Sequence, residues 1–103
     1  MPSGILGRAS LSANTDTTLY TVPSTKLSSL TINICNTNLV PALIRLAITD
    51  TGSVQANSWI FFDFGIPSNS TLEKTGIVME AGEAIIINSS VANVTAMIYG
   101  YEE

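Results

Sequence analysis

The stretch Ala42-Leu43-Ile44-Arg45-Leu46-Ala47-Ile48-Thr49 decides the fold. Read at a period of two, it puts Ala42, Ile44, Leu46 and Ile48 on one face and Leu43, Arg45, Ala47 and Thr49 on the other. Successive side chains of a strand point to opposite sides, so this alternation predicts a central strand of a sandwich. Leu27–Asn36 alternates in the same way, with Leu30, Ile32 and Ile34 against Thr31, Asn33 and Cys35. Between the two lies Asn36-Thr37-Asn38-Leu39-Val40-Pro41, which is rich in turn formers. The pair is therefore expected to form a hairpin with a longer loop.

Working outward, Ile5–Ser12 reads as a short first strand, weakened by Gly4 and Gly7. Thr17–Val22 is a second, ended by Pro23, which has no N–H for a ladder. Ser58–Phe64 holds every phenylalanine and the only tryptophan. Ser70–Met79 follows, with a bulge expected near Gly76, then a tight turn at Glu80-Ala81-Gly82-Glu83 that reads as a hairpin turn with solvated charges. Ala84–Asn88 and Val94–Tyr101 complete the set. About eight strands at this spacing predict an all-β chain, a single-domain antiparallel β-sandwich, jelly-roll or Ig-like, over residues 1–103. No stretch carries a 3.6-residue period, so helix should be nearly absent.

The charged fraction is 12 %, half the usual ~25 %. Ser, Thr and Asn replace the missing charges and let a surface dock without desolvating ions. The net charge is −4, and the basic residues Arg8, Lys26, Arg45 and Lys74 are scattered, which argues against nucleic acid. Cys35 is the sole cysteine, so no internal disulfide can form. No signal pattern opens the chain and no apolar run nears the ~18 residues of a membrane helix, so a soluble protein without membrane contact is expected.

Three strands are apolar on both faces. Ile60, Phe62 and Phe64 alternate with Trp59 and Phe61; Ile85, Ile86 and Ile87 run together; Ala96 and Ile98 alternate with Met97, Tyr99 and Tyr101. A two-layer sandwich covers one face of each sheet, so the second face calls for a partner, for loops folded back over it, or for water. A homo-oligomer is the simplest cover.

The chemistry-bearing residues are few. Ile48-Thr49-Asp50-Thr51-Gly52-Ser53 matches the apolar-strand, Asp-Thr-Gly-Ser pattern of aspartic proteases, in which two aspartates share a proton across a dimer axis. The glycine-rich flap and the later apolar-apolar-Gly element of such enzymes are missing, so a turn accounts for the stretch better. Loop 50–57 offers oxygens, but one aspartate makes a weak calcium site. Histidine is absent, which removes His-based bases, metal ligands and nucleophile pairs. Cys35, with no basic neighbour, reads as a small core or interface residue. Asp63, set among aromatics, is expected either as a buried acid with a raised pKa or as a partner for Arg45 or Lys74 across an interface. Glu102 and Glu103 end the chain. No catalytic residue, metal site or cofactor is expected, and the three Asn-X-Ser/Thr matches carry no meaning without an export signal.

Gly7-Arg8-Ala9-Ser10-Leu11 and Asn14-Thr15-Asp16-Thr17-Thr18-Leu19-Tyr20-Thr21-Val22-Pro23 resemble the opening of small virion proteins of tailed phages, cyanophages above all. Ile44-Arg45-Leu46-Ala47-Ile48, Leu72-Glu73-Lys74-Thr75-Gly76-Ile77-Val78 and Tyr99-Gly100-Tyr101-Glu102-Glu103 fit the same pattern in order. The resemblance implies a non-enzymatic β-sandwich building block of a particle, made in the host cytoplasm and located in the virion. It would be a capsid decoration (cement) protein or a tail, baseplate or fibre module. The expected partners are further copies of itself, as a homotrimer, and the major capsid protein or another virion protein. Trp59, Phe61, Met97, Tyr99 and Tyr101 are the candidate interface residues, because aromatics and Met are enriched at such surfaces. A host-glycan-binding module, stacking sugars on exposed rings, is the reading from another class.

Overall fold

A computed structural model describes residues 3–50, 54 and 56–103. Eight strands run through it: β1 (Ser3–Leu11), β2 (Thr17–Thr21), β3 (Leu27–Asn36), β4 (Ala42–Thr49), β5 (Trp59–Ile66), β6 (Thr71–Glu80), β7 (Ala84–Ser89) and β8 (Val94–Glu102). They form two four-stranded antiparallel sheets: sheet I in the order β1-β8-β3-β6 and sheet II in the order β2-β7-β4-β5. The pairing is nested, β4 with β5, β3 with β6, β2 with β7 and β1 with β8. That is the strand order of a jelly roll, one of the two sandwiches expected. No helix occurs among the described residues.

The strand alternation turns into burial as read. Ile32 and Ile34 of β3 and Ile44 and Leu46 of β4 are fully buried, and Ile85, Ile87 and Ile98 join them from the other sheet neighbours. Each such side chain contributes ~1.5–3 kcal/mol on leaving water. Phe61 and Ile48 pack against this core from its margin.

The expected β3–β4 hairpin does not form. β3 lies between β8 and β6 in sheet I, while β4 lies between β7 and β5 in sheet II. Each strand has one strongly apolar face, and the two faces meet across the core, so residues 37–41 cross between layers. The same correction applies to Glu80–Glu83, which joins β6 of sheet I to β7 of sheet II rather than closing a hairpin.

The central ladders β3–β8 and β4–β7 run without a register break. Each edge strand, by contrast, carries an irregularity: β1 between Ile5 and Gly7, β2 between Thr18 and Tyr20, β6 opposite Leu30–Ile32, and β5 twice. In β5, Leu46 pairs with Phe61 and Ala47 with Trp59, leaving Ile60 over; Ile44 pairs with Phe64, so Phe62 and Asp63 both oppose Arg45. Asp63 takes up the extra length at a left-handed φ of 54°. These bulges break the alternation expected along Trp59–Phe64.

Candidate functional site

The five candidate interface residues do not share one surface. Trp59 and Phe61 stand on β5 at the edge of sheet II, whereas Met97, Tyr99 and Tyr101 line β8 in the middle of sheet I. Phe61 is half-buried against the core and stacks at a tilt on Phe64, 5.3 Å between ring centres. Trp59 meets Phe62 edge to face at 5.1 Å.

On sheet II the double bulge gathers one exposed cluster. Arg45 pairs with Asp63, Nε to Oδ1 at 2.6 Å, and its guanidinium carbon lies 4.2 Å over the Phe62 ring. The Asp63 carboxyl is held below its ordinary range by the hydrogen bond from Arg45, and the guanidinium is raised in turn. Asp63 is thus the ion-pair partner of Arg45 on the neighbouring strand of the same chain, not across an interface, and it is not a buried acid. Phe62 is 56 % exposed beside it. In the adjacent row Thr18, Ile86, Ala47 and Trp59 lie side by side, and Ile86 and Ala47 are buried although they face away from the core.

On sheet I the outward residues of β8 are Thr95, Met97, Tyr99 and Tyr101, and those of β3 are Ser29, Thr31, Asn33 and Cys35. The Tyr99 hydroxyl donates to Glu73 Oε2 at 2.7 Å, reaching across β3 to β6, and that bond raises the Tyr99 pKa. A shallow groove of about 490 Å³ runs over Arg8, Ser10, Asn33, Thr95 and Met97. Cys35 is half-buried in this face as a free thiol.

Two polar clusters that sequence reading missed lie inside. Tyr20 donates to Glu102 and lies 2.7 Å from the Ser28 hydroxyl, linking sheet II to two strands of sheet I. Burial, then the bond to Glu102, pushes the Tyr20 pKa up to about 12. Glu102 is buried although it stands next to the last residue. At the opposite end, buried Asn36 donates through Nδ2 to the carbonyls of Val40, Ile66 and Pro67, and its Oδ1 accepts from the backbone and side-chain nitrogens of Asn38. Asn38 in turn donates to Ala92 and Thr37 to Asn93, which holds Leu39 at the tip, 87 % exposed. Both clusters hold the fold together, because their polar groups satisfy one another.

Of the protease-like stretch, Asp50 sits exposed at the end of β4, and Thr51, Gly52 and Ser53 lie outside the described residues, as does part of the loop weighed for calcium. Among the described residues no three His, Cys, Asp or Glu side chains gather to hold a metal ion. Comparison with protein-family models, with characterised proteins and with solved structures finds no match to this chain.

Proposed function

We propose that this chain is a non-enzymatic virion structural protein, a capsid decoration (cement) protein that self-associates and binds the major capsid shell. The observation that carries this reading is the surface. Val78 is 67 % exposed on sheet I, on a face whose middle carries Ser29, Thr31, Asn33 and Thr95, and Phe62 is 56 % exposed on sheet II, beside an Arg45–Asp63 pair whose charges already offset each other. Such faces dock without a large desolvation cost. Every buried side-chain polar atom among the described residues already has a partner, so none points at a small ligand. The jelly roll recurs in viral capsid and lectin domains, which is support by analogy of fold alone.

Repetition over a symmetric shell multiplies modest contacts, so each one can be weak. The test is the copy number relative to the major capsid protein in purified virions, by quantitative mass spectrometry. Hundreds of copies support a shell component. A handful places the protein on the tail, baseplate or fibres, and absence from particles overturns the reading.

One local feature favours glycan binding as the second reading. Tyr101, 44 % exposed, borders a groove of about 210 Å³ with Leu27, Ser29 and Val78. Specific hits on a glycan array that Tyr101→Ala abolishes would move this reading to first place.

A further inference from the structure

The register of sheet I places its outward side chains in rows across the four strands. Arg8 pairs with Met97, Met97 with Asn33 and Asn33 with Glu73, so these residues form a single row from edge to edge. Arg8 stands on β1 at one edge and Glu73 on β6 at the other. Among the described residues neither has an oppositely charged partner: the one ion pair there is Arg45–Asp63, and Glu73 accepts from the neutral Tyr99 hydroxyl. One row away on one side lie Ser10, Thr95, Cys35 and Thr71; on the other, Ile5, Tyr99 and Thr31, then Tyr101, Ser29 and Val78. β8 therefore presents a column of large residues, Met97, Tyr99 and Tyr101, beside the smaller Asn33, Thr31 and Ser29 of β3.

We infer that this face binds a second copy of the chain about a two-fold axis running along the strands between β8 and β3. That axis lays β1 over the second copy's β6 and β8 over its β3, with rows facing rows. Arg8 then meets Glu73 of the second copy, and by symmetry Glu73 meets Arg8, as an isologous interface requires. Met97 and Tyr101 fall on Asn33 and Ser29, large onto small, while Tyr99 lies over β3 of its own chain toward Glu73. Turning the axis to run across the strands would instead stack β8 on β8, ring on ring, and set Arg8 against Arg8.

Size and reach agree with this pairing. Four strands ~4.8 Å apart and about 30 Å long give roughly 600 Å² in projection, before side-chain relief is added. A standard interface takes ~800 Å² from each partner. Packed sheets lie ~10 Å apart, a gap that facing Arg and Glu side chains span together. Association through the edges is disfavoured, since each edge strand is bulged. The exposed cluster on sheet II offers no comparable complementarity, because Arg45 and Asp63 already satisfy each other. The pairing makes a dimer in place of the trimer expected from sequence, and it does not rest on the virion reading.

The test is sedimentation of the purified full chain at low ionic strength. A species of twice the 10.9 kDa chain mass is expected. Arg8→Glu and Glu73→Arg, each alone, bring like charges together and should weaken the dimer at least tenfold. Mixing the two variants restores both opposite-charge contacts, so a heterodimer should form from the two weakened partners. A residue acting only within its own fold cannot be rescued by another chain. A monomer or a trimer in the unmodified protein overturns the inference, as do single swaps that leave the dimer intact or a mixture that stays monomeric. Should a swap fail to fold, Thr31→Arg in the middle of the face reads the same contact, and a dimer that survives it overturns the inference too.

Discussion

The Tyr20 hydroxyl donates to the Glu102 carboxylate across the interior, joining the second strand to the last one over 82 residues of sequence. Ser28 completes the cluster at 2.7 Å from the same hydroxyl. β2 belongs to one sheet and β3 and β8 to the other, so the cluster ties the layers together.

Tyr20→Phe keeps the ring and removes the donor, leaving a buried carboxylate without it. The expected loss is ~1–3 kcal/mol, read as a lowered Tm. Because the folded pKa of Tyr20 is about 12, above the ordinary value of 10.0, the folded state keeps its proton where the unfolded state releases it. The corresponding stability is complete below pH ~10 and is lost as pH rises through about 12. Chemical denaturation across that window should show a fall that is smaller in Tyr20→Phe.

Asn36→Leu tests the loop anchor. It strips partners from three carbonyls and from the Asn38 amide at once, all near a fully buried position. A loss of ~2–4 kcal/mol is expected, together with faster amide exchange in residues 37–41. Unchanged exchange would show that the loop holds its shape by other means.

Glycine substitutions should separate close approach from ordinary packing. A Cβ on Gly100 would lie 2.1 Å from the Ser29 carbonyl oxygen, at a φ of 152°, and one on Gly7 would lie 2.4 Å from that of Leu19. Gly100→Ala and Gly7→Ala are expected to cost more than ~2 kcal/mol each. Gly65→Ala meets only Leu43 at 3.9 Å and should stay within ~0.5 kcal/mol of the parent. Equal Tm values for all three would remove the close approach as a constraint.

Asp63→Asn removes the exposed pair with Arg45. The carboxyl is depressed in the fold, so its contribution is present above the ordinary carboxylate pKa of ~4 and lost as pH falls through the lower folded value. Parent and variant should therefore differ at neutral pH and converge in acid. A difference that persists in acid would assign the effect to the bulge geometry instead.

Period-two alternation is a local property, and it located all eight strands to within two residues at each end. Sheet membership is not local. Leu27–Asn36 and Ala42–Thr49 are neighbours in sequence with similar patterns, yet the choice between lying side by side and lying face to face depends on β6, β7 and β8. For the same reason the burial of Glu102 is not legible: nothing near it in sequence signals that Tyr20 waits across the core. The aromatic stretch Trp59–Phe64 misled differently, because a bulge adds a residue without any glycine or proline to mark it. Met97, Tyr99 and Tyr101 share one face in the sequence pattern, but that this face points outward, and that Arg8, Asn33 and Glu73 form a row with Met97, depends on the register.

The nested pairing has a consequence for synthesis. A nascent chain can complete only the innermost pair, β4 with β5, early on, since every wider pair waits for a later strand. β8 is made last, yet it lies between β1 and β3, so sheet I stays divided until it arrives. Sheet I is therefore expected to close only after β8 has left the ribosome, slowly and through long-range pairing. A ribosome stalled before Val94 would hold a chain whose first strand still has no neighbour.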